Sequence, residues 1–312
     1  MIPFEKAGYY SPPVLAPDAL IPLSEAQIKN AWRYESPALV SILCATYNHA
    51  PYVESAIHGF LAQETDFPFE VIIRDDCSND GTAEIINHYT EKYPRIIKAI
   101  LKEKNYYPEV KPSPELRAAA EGEYFAFCEG DDYWIDKFKL SKQVSILKNN
   151  PSVSLVRSPV LAIENSSVIG VLPRGGTRSY MCRRFDGYPA KRQAYISFGD
   201  TFNTAILGAK GSFYDMQEIT AVWRKHSGGV WSPLVGNDER LLEFKRSNTQ
   251  YWIAEYFLDK GDEKRAVSAL IASLSRILSG YPSIRKKTIF ILCLREFLPD
   301  QLVRLLSATA RF

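Results

Sequence analysis

The chain has little charge imbalance, few sulfur atoms and no long apolar run, and each shortage removes a class of explanation. Its 38 Lys and Arg against 36 Asp and Glu leave a formal net charge of +2, too small to imply a polyanionic partner. No Lys/Arg run interleaved with aromatics offers a nucleic-acid-binding face, so nucleic acid is not an expected partner. The five cysteines, Cys44, Cys77, Cys128, Cys182 and Cys293, are odd in number, widely spread and without a C-x-x-C pair. That removes zinc and dithiol redox chemistry and predicts reduced thiols in a cytoplasmic compartment. No apolar run approaches the ~20 residues of a membrane-spanning helix. The start, MIPFEKAGYYSPP, lacks the basic-then-apolar order of a secretory signal, so the protein is expected to be neither secreted nor integral to a membrane.

What is present is ordinary globular material. Apolar residues make up 46% and charged residues 24% of 312 positions, enough for one large domain or a domain with an appendage. Residues 1–36 carry Pro3, Pro12, Pro13, Pro17 and Pro22 and read as an extension, because proline fixes φ and removes a donor. From Leu39 an alternation begins. Apolar runs at Leu39–Ala45, Glu70–Arg74, Ile96–Leu101 and Tyr124–Cys128 predict strands, and Val53, Ile57, Phe60 and Leu61 predict a helix after Pro51. Thr82 is expected to cap a second helix, Leu116–Ala120 forms a short one, and a further helix runs from about Lys137 to Asn149. Alternation of this kind predicts a parallel sheet covered by helices.

Farther on the pattern loosens into short strands at Val153–Val156, Val160–Ile163 and Val168–Leu172 and a Gly/Arg-rich loop from Arg174 to Arg184. Tyr251–Leu258 and Lys264–Leu278, around Lys260-Gly261-Asp262, predict an antiparallel helix pair.

Ligands of open parallel sheets bind beyond the carboxyl ends of the strands. Three such ends here are unusually polar: Ala45-Thr46-Tyr47-Asn48-His49 after the first strand, Asp75-Asp76-Cys77-Ser78-Asn79-Asp80-Gly81-Thr82 after the second, and Glu129-Gly130-Asp131-Asp132 after the fourth. Three carboxylates within four residues repel one another unless a counter-charge is present, and hard oxygen ligands suit magnesium or manganese together with substrate phosphates. The plainer reading of each segment is a solvated turn that leads into a helix. It accounts well for Ser78–Thr82 and less well for the adjacent pair Asp75-Asp76.

As an ordered set these segments, with Val40-Ser41-Ile42 before them, resemble family 2 glycosyltransferases of the GT-A fold, over about Leu39 to Val156. The resemblance implies an α/β, Rossmann-like, mostly parallel sheet flanked by helices, with a C-terminal helical appendage. It divides the chain into an N-terminal extension (1–36), a nucleotide-sugar-binding half (37–157), an acceptor-binding half (158–234) and a helical region (235–312). It implies a metal-dependent, inverting transfer of a sugar from a nucleotide diphosphate donor, expected to be a UDP-sugar, to a hydroxyl of a glycan or lipid-linked acceptor in surface polysaccharide or glycan synthesis.

By the same resemblance Ala45, Thr46 and Tyr47 flank the nucleotide base and Asp76 receives its hydrogens, with Asn48 and Asp75 beside them. Asp131 and Asp132 match the metal-binding end of the acidic motif, whereas Glu129 stands where many members have Asp. The catalytic base would be Asp200, whose plainer role is to cap the helix it precedes. Trp223–Trp231 resembles the loop that closes over the diphosphate, where Arg224 or His226 would meet leaving-group charge.

Arg285-Lys286-Lys287 with Ile289–Leu294, Leu302, Leu305 and Leu306 forms a basic amphipathic tail. It suits packing on the catalytic domain or on a second subunit, with peripheral contact at the inner membrane face as the alternative. Two rival functions fit parts of the pattern. A sugar-phosphate nucleotidyltransferase would carry a Gly-rich phosphate loop where this chain has Ala45–His49. A non-catalytic carbohydrate-binding protein would not need intact acidic clusters.

Overall fold

A computed structural model of the chain describes Met1 and residues 20–107, 109–187, 194–229 and 239–280. The basic C-terminal tail and most of the proline-rich start lie outside the described residues. Two compact units are present, one comprising Met1–Gly187 with Ile206–Gly229, the other Tyr188–Ala205 with Val230–Phe312.

The first unit is built on β1 (Val40–Thr46), β2 (Phe69–Asp75), β3 (Ile97–Leu101) and β4 (Tyr124–Phe127). All four run parallel, with β1 between β4 and β2 and β3 beyond β2. Parallel strands covered on both faces need near-continuous apolar sequence, which is why β2 is buried along its whole length and β1 at every position but one. The helices α1 (Glu25–Asn30), α2 (Val53–Leu61), α3 (Thr82–Lys92), α4 (Pro112–Ala119) and α5 (Lys139–Asn149) surround the strands. Val53, Ile57 and Phe60 of α2 and Ile86 of α3 join Val40, Ile42, Val71 and Ile73 in one core. Part of the proline-rich extension packs against this unit. Ser24 and Gln27 form a reciprocal capping box on α1, Ile28 is buried, and the Leu23 N–H donates to the Leu61 carbonyl.

Three expectations need adjustment, two of them here. Gly81, at φ 101°, occupies the N-cap of α3, and Thr82 is its first helical residue. Asp80 does the capping chemistry by accepting from the Thr82 N–H and hydroxyl at 3.1 and 2.6 Å. The Gly/Arg-rich stretch is also more ordered than a loop. It contains a 3₁₀ turn, Thr177–Ser179, and a strand, Met181–Arg183, that sits antiparallel between β4 and its neighbour in the sheet.

In chain order the remaining strands are β5 (Tyr133–Trp134), β6 (Val153–Arg157), β7 (Val160–Glu164), β8 (Ser167–Leu172), β9 (Met181–Arg183), β10 (Ser212–Asp215) and β11 (Ala221–Lys225). The large sheet reads β10-β6-β9-β4-β1-β2-β3, and a smaller one reads β5-β11-β7-β8. Trp223-Arg224-Lys225, expected in a loop, therefore belongs to β11, pinned by the buried Ala221 and Val222 and by parallel pairing with β7.

The second unit contains the antiparallel pair α7 (Glu239–Asp259) and α8 (Glu263–Gly280). Gly261, at φ 74°, makes the turn between them, and the hydroxyls of Ser247 and Ser273 bond across the pair at 2.9 Å. Helix α6 (Gly199–Lys210) has Asp200 in its first turn. Among the described residues no helix is long and apolar enough to cross a membrane.

Candidate active site

The acidic cluster is delivered by β4 and held against the end of β1, where the Cys128 N–H donates to the Leu43 carbonyl and the Gly130 N–H to Ala45. Approach is so close at Gly130 that an added Cβ would stand 2.5 Å from the Thr46 methyl and 3.1 Å from His49 Nδ1. Only glycine lets the two strand ends meet this way.

The three carboxylates have different partners. Glu129 accepts from the Thr177 hydroxyl at 2.7 Å, and its other oxygen is buried with no hydrogen-bond partner among the described residues. Asp132 is 1% exposed, and both its oxygens are engaged, one by the Arg178 Nε–H and the other by the Arg224 backbone N–H at 2.9 Å. Burial pushes its carboxyl up to about 7; Arg178 pulls against this, and the charges of Asp131 and Glu129 reinforce it. Burial in turn works against the Arg178 charge, but Asp132 and its neighbours more than offset that and hold the guanidinium protonated.

Asp131 faces two histidines instead. Its Oδ2 lies 3.1 Å from His226 Nε2 and 3.7 Å from His49 Nε2. Burial would raise its carboxyl, yet the His226 hydrogen bond and the nearby His49 and Arg178 charges hold it below the ordinary value. Burial lowers the His49 imidazole from its usual value. Arg224 lies over the rings of Tyr133 at 4.2 Å and Tyr52 at 5.3 Å, and donates to the Asp131 carbonyl at 2.9 Å. The structure thus brings Asp131, Asp132, Arg224 and His226 together.

The ends of β1 and β2 are stitched to each other. Asp75 accepts from the hydroxyls of Thr46 and Ser78 at 2.8 and 2.6 Å and from the Ser78 N–H at 2.8 Å. Asn48, at φ 53°, accepts from the Asn79 N–H, and its own N–H donates to Ser78 Oγ. These bonds give Asp75 and Asn48 a structural task in shaping the loop. Tyr47 projects beside them, 45% exposed, with Ala45 and Thr46 packed behind it. Asp76 accepts from the backbone N–H groups of Tyr106 and Tyr107 at 3.2 and 3.1 Å and pairs with Arg74 at 3.2 Å. Asp200 belongs to the second unit, where it is exposed and accepts from the Thr201 N–H at 2.7 Å.

Sequence reasoning missed His49, Thr177 and Arg178 as members of the site. His49 directly follows Tyr47-Asn48 and was open to notice. Thr177 and Arg178 sit 48 and 46 residues from the carboxylates they bind, with no local pattern to announce them.

Among the described residues no three His, Cys, Asp or Glu side chains converge as a closed metal cage would. The donor set still fits a hard cation shared with a diphosphate. Asp131 Oδ2 and His226 Nε2, joined by a hydrogen bond of 3.1 Å, are an oxygen and a nitrogen of the kinds that such a cation accepts.

The model of the family described as Glycosyl transferase family 2 matches residues 41–188. An uncharacterized glycosyltransferase of Methanocaldococcus jannaschii is 34% identical over 225 residues, covering 69% of this chain and 73% of its own. The poly(ribitol-phosphate) beta-N-acetylglucosaminyltransferase TarS of Staphylococcus aureus is 32% identical over 133 residues, 42% of this chain and 21% of its own. The structure of TarS residues 1–349 with UDP-GlcNAc aligns over 86% of this chain and 83% of that one, at TM-score 0.58 and 18% identity. A mannosyltransferase of Pyrobaculum calidifontis, in complex with GDP-Man and Mn2+, aligns over 92% of both chains at TM-score 0.51 and 14% identity. The α/β architecture is thus the GT-A fold, and with motif order, fold and relatives in agreement the chain belongs to glycosyl transferase family 2.

Proposed function

We propose that this glycosyltransferase moves a sugar from a UDP-sugar to an acceptor hydroxyl with inversion, in the synthesis of a cell-surface glycan. The observation that carries the reading is the meeting of Asp131, His226 and Arg224 at the carboxyl ends of the strands. A divalent cation, manganese or magnesium, held by Asp131 and His226 would offset charge on the departing diphosphate, and Arg224 adds a fixed positive charge beside it. Tyr47 and Asp76 stand at the strand ends where the base would lie. The acceptor oxygen attacks the anomeric carbon as the bond to the diphosphate oxygen breaks. Asp200 takes the hydroxyl proton, and UDP leaves with the bonding pair. Support for the donor comes from TarS, whose structure holds UDP-GlcNAc, and for the metal from the mannosyltransferase with Mn2+. The free thiols Cys44, Cys77, Cys128 and Cys182 accord with action in the reducing cytoplasm.

The test is a screen of nucleotide-sugars with and without Mn2+, following donor hydrolysis and transfer. Asp131→Ala should abolish both and the Mn2+ dependence. Asp200→Asn should lower transfer by about 10²- to 10⁴-fold while the donor still binds. Wild-type turnover without metal, or a fully active Asp131→Ala, would refute the metal assignment; unimpaired transfer by Asp200→Asn would move the base elsewhere.

A further inference from the structure

The stretch Gly175–Ser179 has a single consistent set of contacts. The Thr177 hydroxyl donates to Glu129 and the Arg178 Nε–H to Asp132. The backbone of the same turn is fixed from behind. Trp134 Nε1 donates to the Arg178 carbonyl at 2.9 Å, and Gln143 Nε2 donates to the Ser179 carbonyl at 2.8 Å. Gln143 is itself oriented by the buried Lys139 ammonium at 2.7 Å. Arg178 also donates to the Gly175 carbonyl at 3.1 Å, and its guanidinium lies 5.7 Å from the Trp223 ring. Gly175 and Gly176 have φ of 45° and 68°, and a Cβ on Gly175 would collide with the Ser158 carbonyl and the Ser179 hydroxyl. The turn is therefore a built object, with glycines to admit it and two side-chain donors to hold it.

Its effect is to divide the acidic cluster. Arg178 and Asp132 are both buried, at 12% and 2% side-chain exposure, while Asp131 keeps 20%. A cation that entered at Asp132 would compete with the guanidinium and leave it buried without its hydrogen-bonded carboxylate, which is unfavourable. Among the described residues, the Asp131 carboxylate meets two imidazoles and no arginine is paired with it.

We propose that Thr177 and Arg178 form a carboxylate clamp that holds Glu129 and Asp132 at the strand end, so that of the two aspartates it is Asp131 that meets the metal and diphosphate. Arg178 is then a positioning residue, acting through Asp132, and Asp132 is not a metal ligand. This rests on the reading of the site as a metal–diphosphate site, and it deepens that reading by separating two neighbouring aspartates.

The test uses the full chain and four variants, Arg178→Lys, Arg178→Met, Asp132→Asn and the double Arg178→Met/Asp132→Asn. Mn2+ binding is measured by electron paramagnetic resonance, and thermal midpoint, donor KM and kcat are measured alongside. Asp132→Asn should keep Mn2+ affinity within about threefold of wild type, because it retains an acceptor for the Arg224 N–H and leaves the Asp131 carboxylate and the His226 imidazole unchanged. Arg178→Met should lower the midpoint and reduce kcat by about 10²-fold through a displaced strand end. The double variant should regain much of the lost midpoint, since it removes the stranded charge, and Arg178→Lys should be intermediate. Loss of Mn2+ binding in a folded Asp132→Asn, or strictly additive midpoint losses in the double variant, would overturn the clamp. Wild type that binds no Mn2+ would instead defeat the metal reading, and the midpoint cycle with UDP affinity would still judge the clamp. If Arg178→Met does not fold, Arg178→Lys and Asp132→Asn supply the cycle.

Discussion

Asp131 and Asp132 are adjacent in the chain and opposite in circumstance: one is held low by histidines, the other pushed up by burial and tied to an arginine. Nothing in Glu129-Gly130-Asp131-Asp132 distinguishes them, because the groups that do so arrive from residues 49, 178, 224 and 226. The gathering of carboxylates at a strand end was legible in sequence, but the different partners of Asp131 and Asp132 were not. Gly130 is the residue whose need is easiest to state. Gly130→Ala should destabilise the fold by about 1–3 kcal/mol, the usual cost of forcing extra volume into close packing, because its methyl meets Thr46 at 2.5 Å. Denaturant titration would show it. Thr46→Ser, which removes the opposing methyl, should return part of that loss when combined with it.

At the scale of elements, the strands easiest to foresee were β1 and β2, seven residues each, whose burial on both faces leaves little choice of residue. Those missed were β5, β9, β10 and β11, two to five residues long, with partners far away in sequence. A short segment carries too few positions for alternation to stand out, so its pairing is decided by the sheet it joins. The link between β1 and β2 beyond their ladder rests on Asp75. Asp75→Ala leaves the Thr46 and Ser78 hydroxyls without their acceptor. It should lower stability by about 1–3 kcal/mol and raise the donor KM, because Tyr47 and Asn48 hang from the same loop. Asp75→Asn, which keeps one acceptor oxygen, should do both less; an unchanged midpoint in Asp75→Ala would contradict this role.

For the molecule as a whole, acid–base behaviour offers a test away from the chemistry. Burial lowers the Lys139 ammonium from 10.5 to about 7. Between those values the unfolded chain binds a proton there that the folded chain does not. Stability should therefore rise with pH from about 7 to about 10.5, relative to a variant without the group. Lys139→Met should flatten that part of the wild-type profile, read as the difference between the two unfolding curves at matched pH. A difference independent of pH would mean that Lys139 is charged in the folded protein throughout. The two-unit organisation was only partly visible in advance. The helix pair α7–α8 was legible from its turn and apolar spacing, whereas the allocation of 206–229 to the first unit depends on β10 and β11, which the sequence does not announce.

The carboxylate of Asp76 is gripped by the peptide N–H groups of Tyr106 and Tyr107, and a backbone N–H is common to nineteen of the twenty amino acids. Drift at positions 106 and 107 can therefore alter side chains freely without loosening that grip, and only proline, which brings no N–H, is barred. In a saturation library selected for activity, the mark of this contact would be a single depleted residue type at two neighbouring positions, a pattern that a search for invariant side chains would pass over.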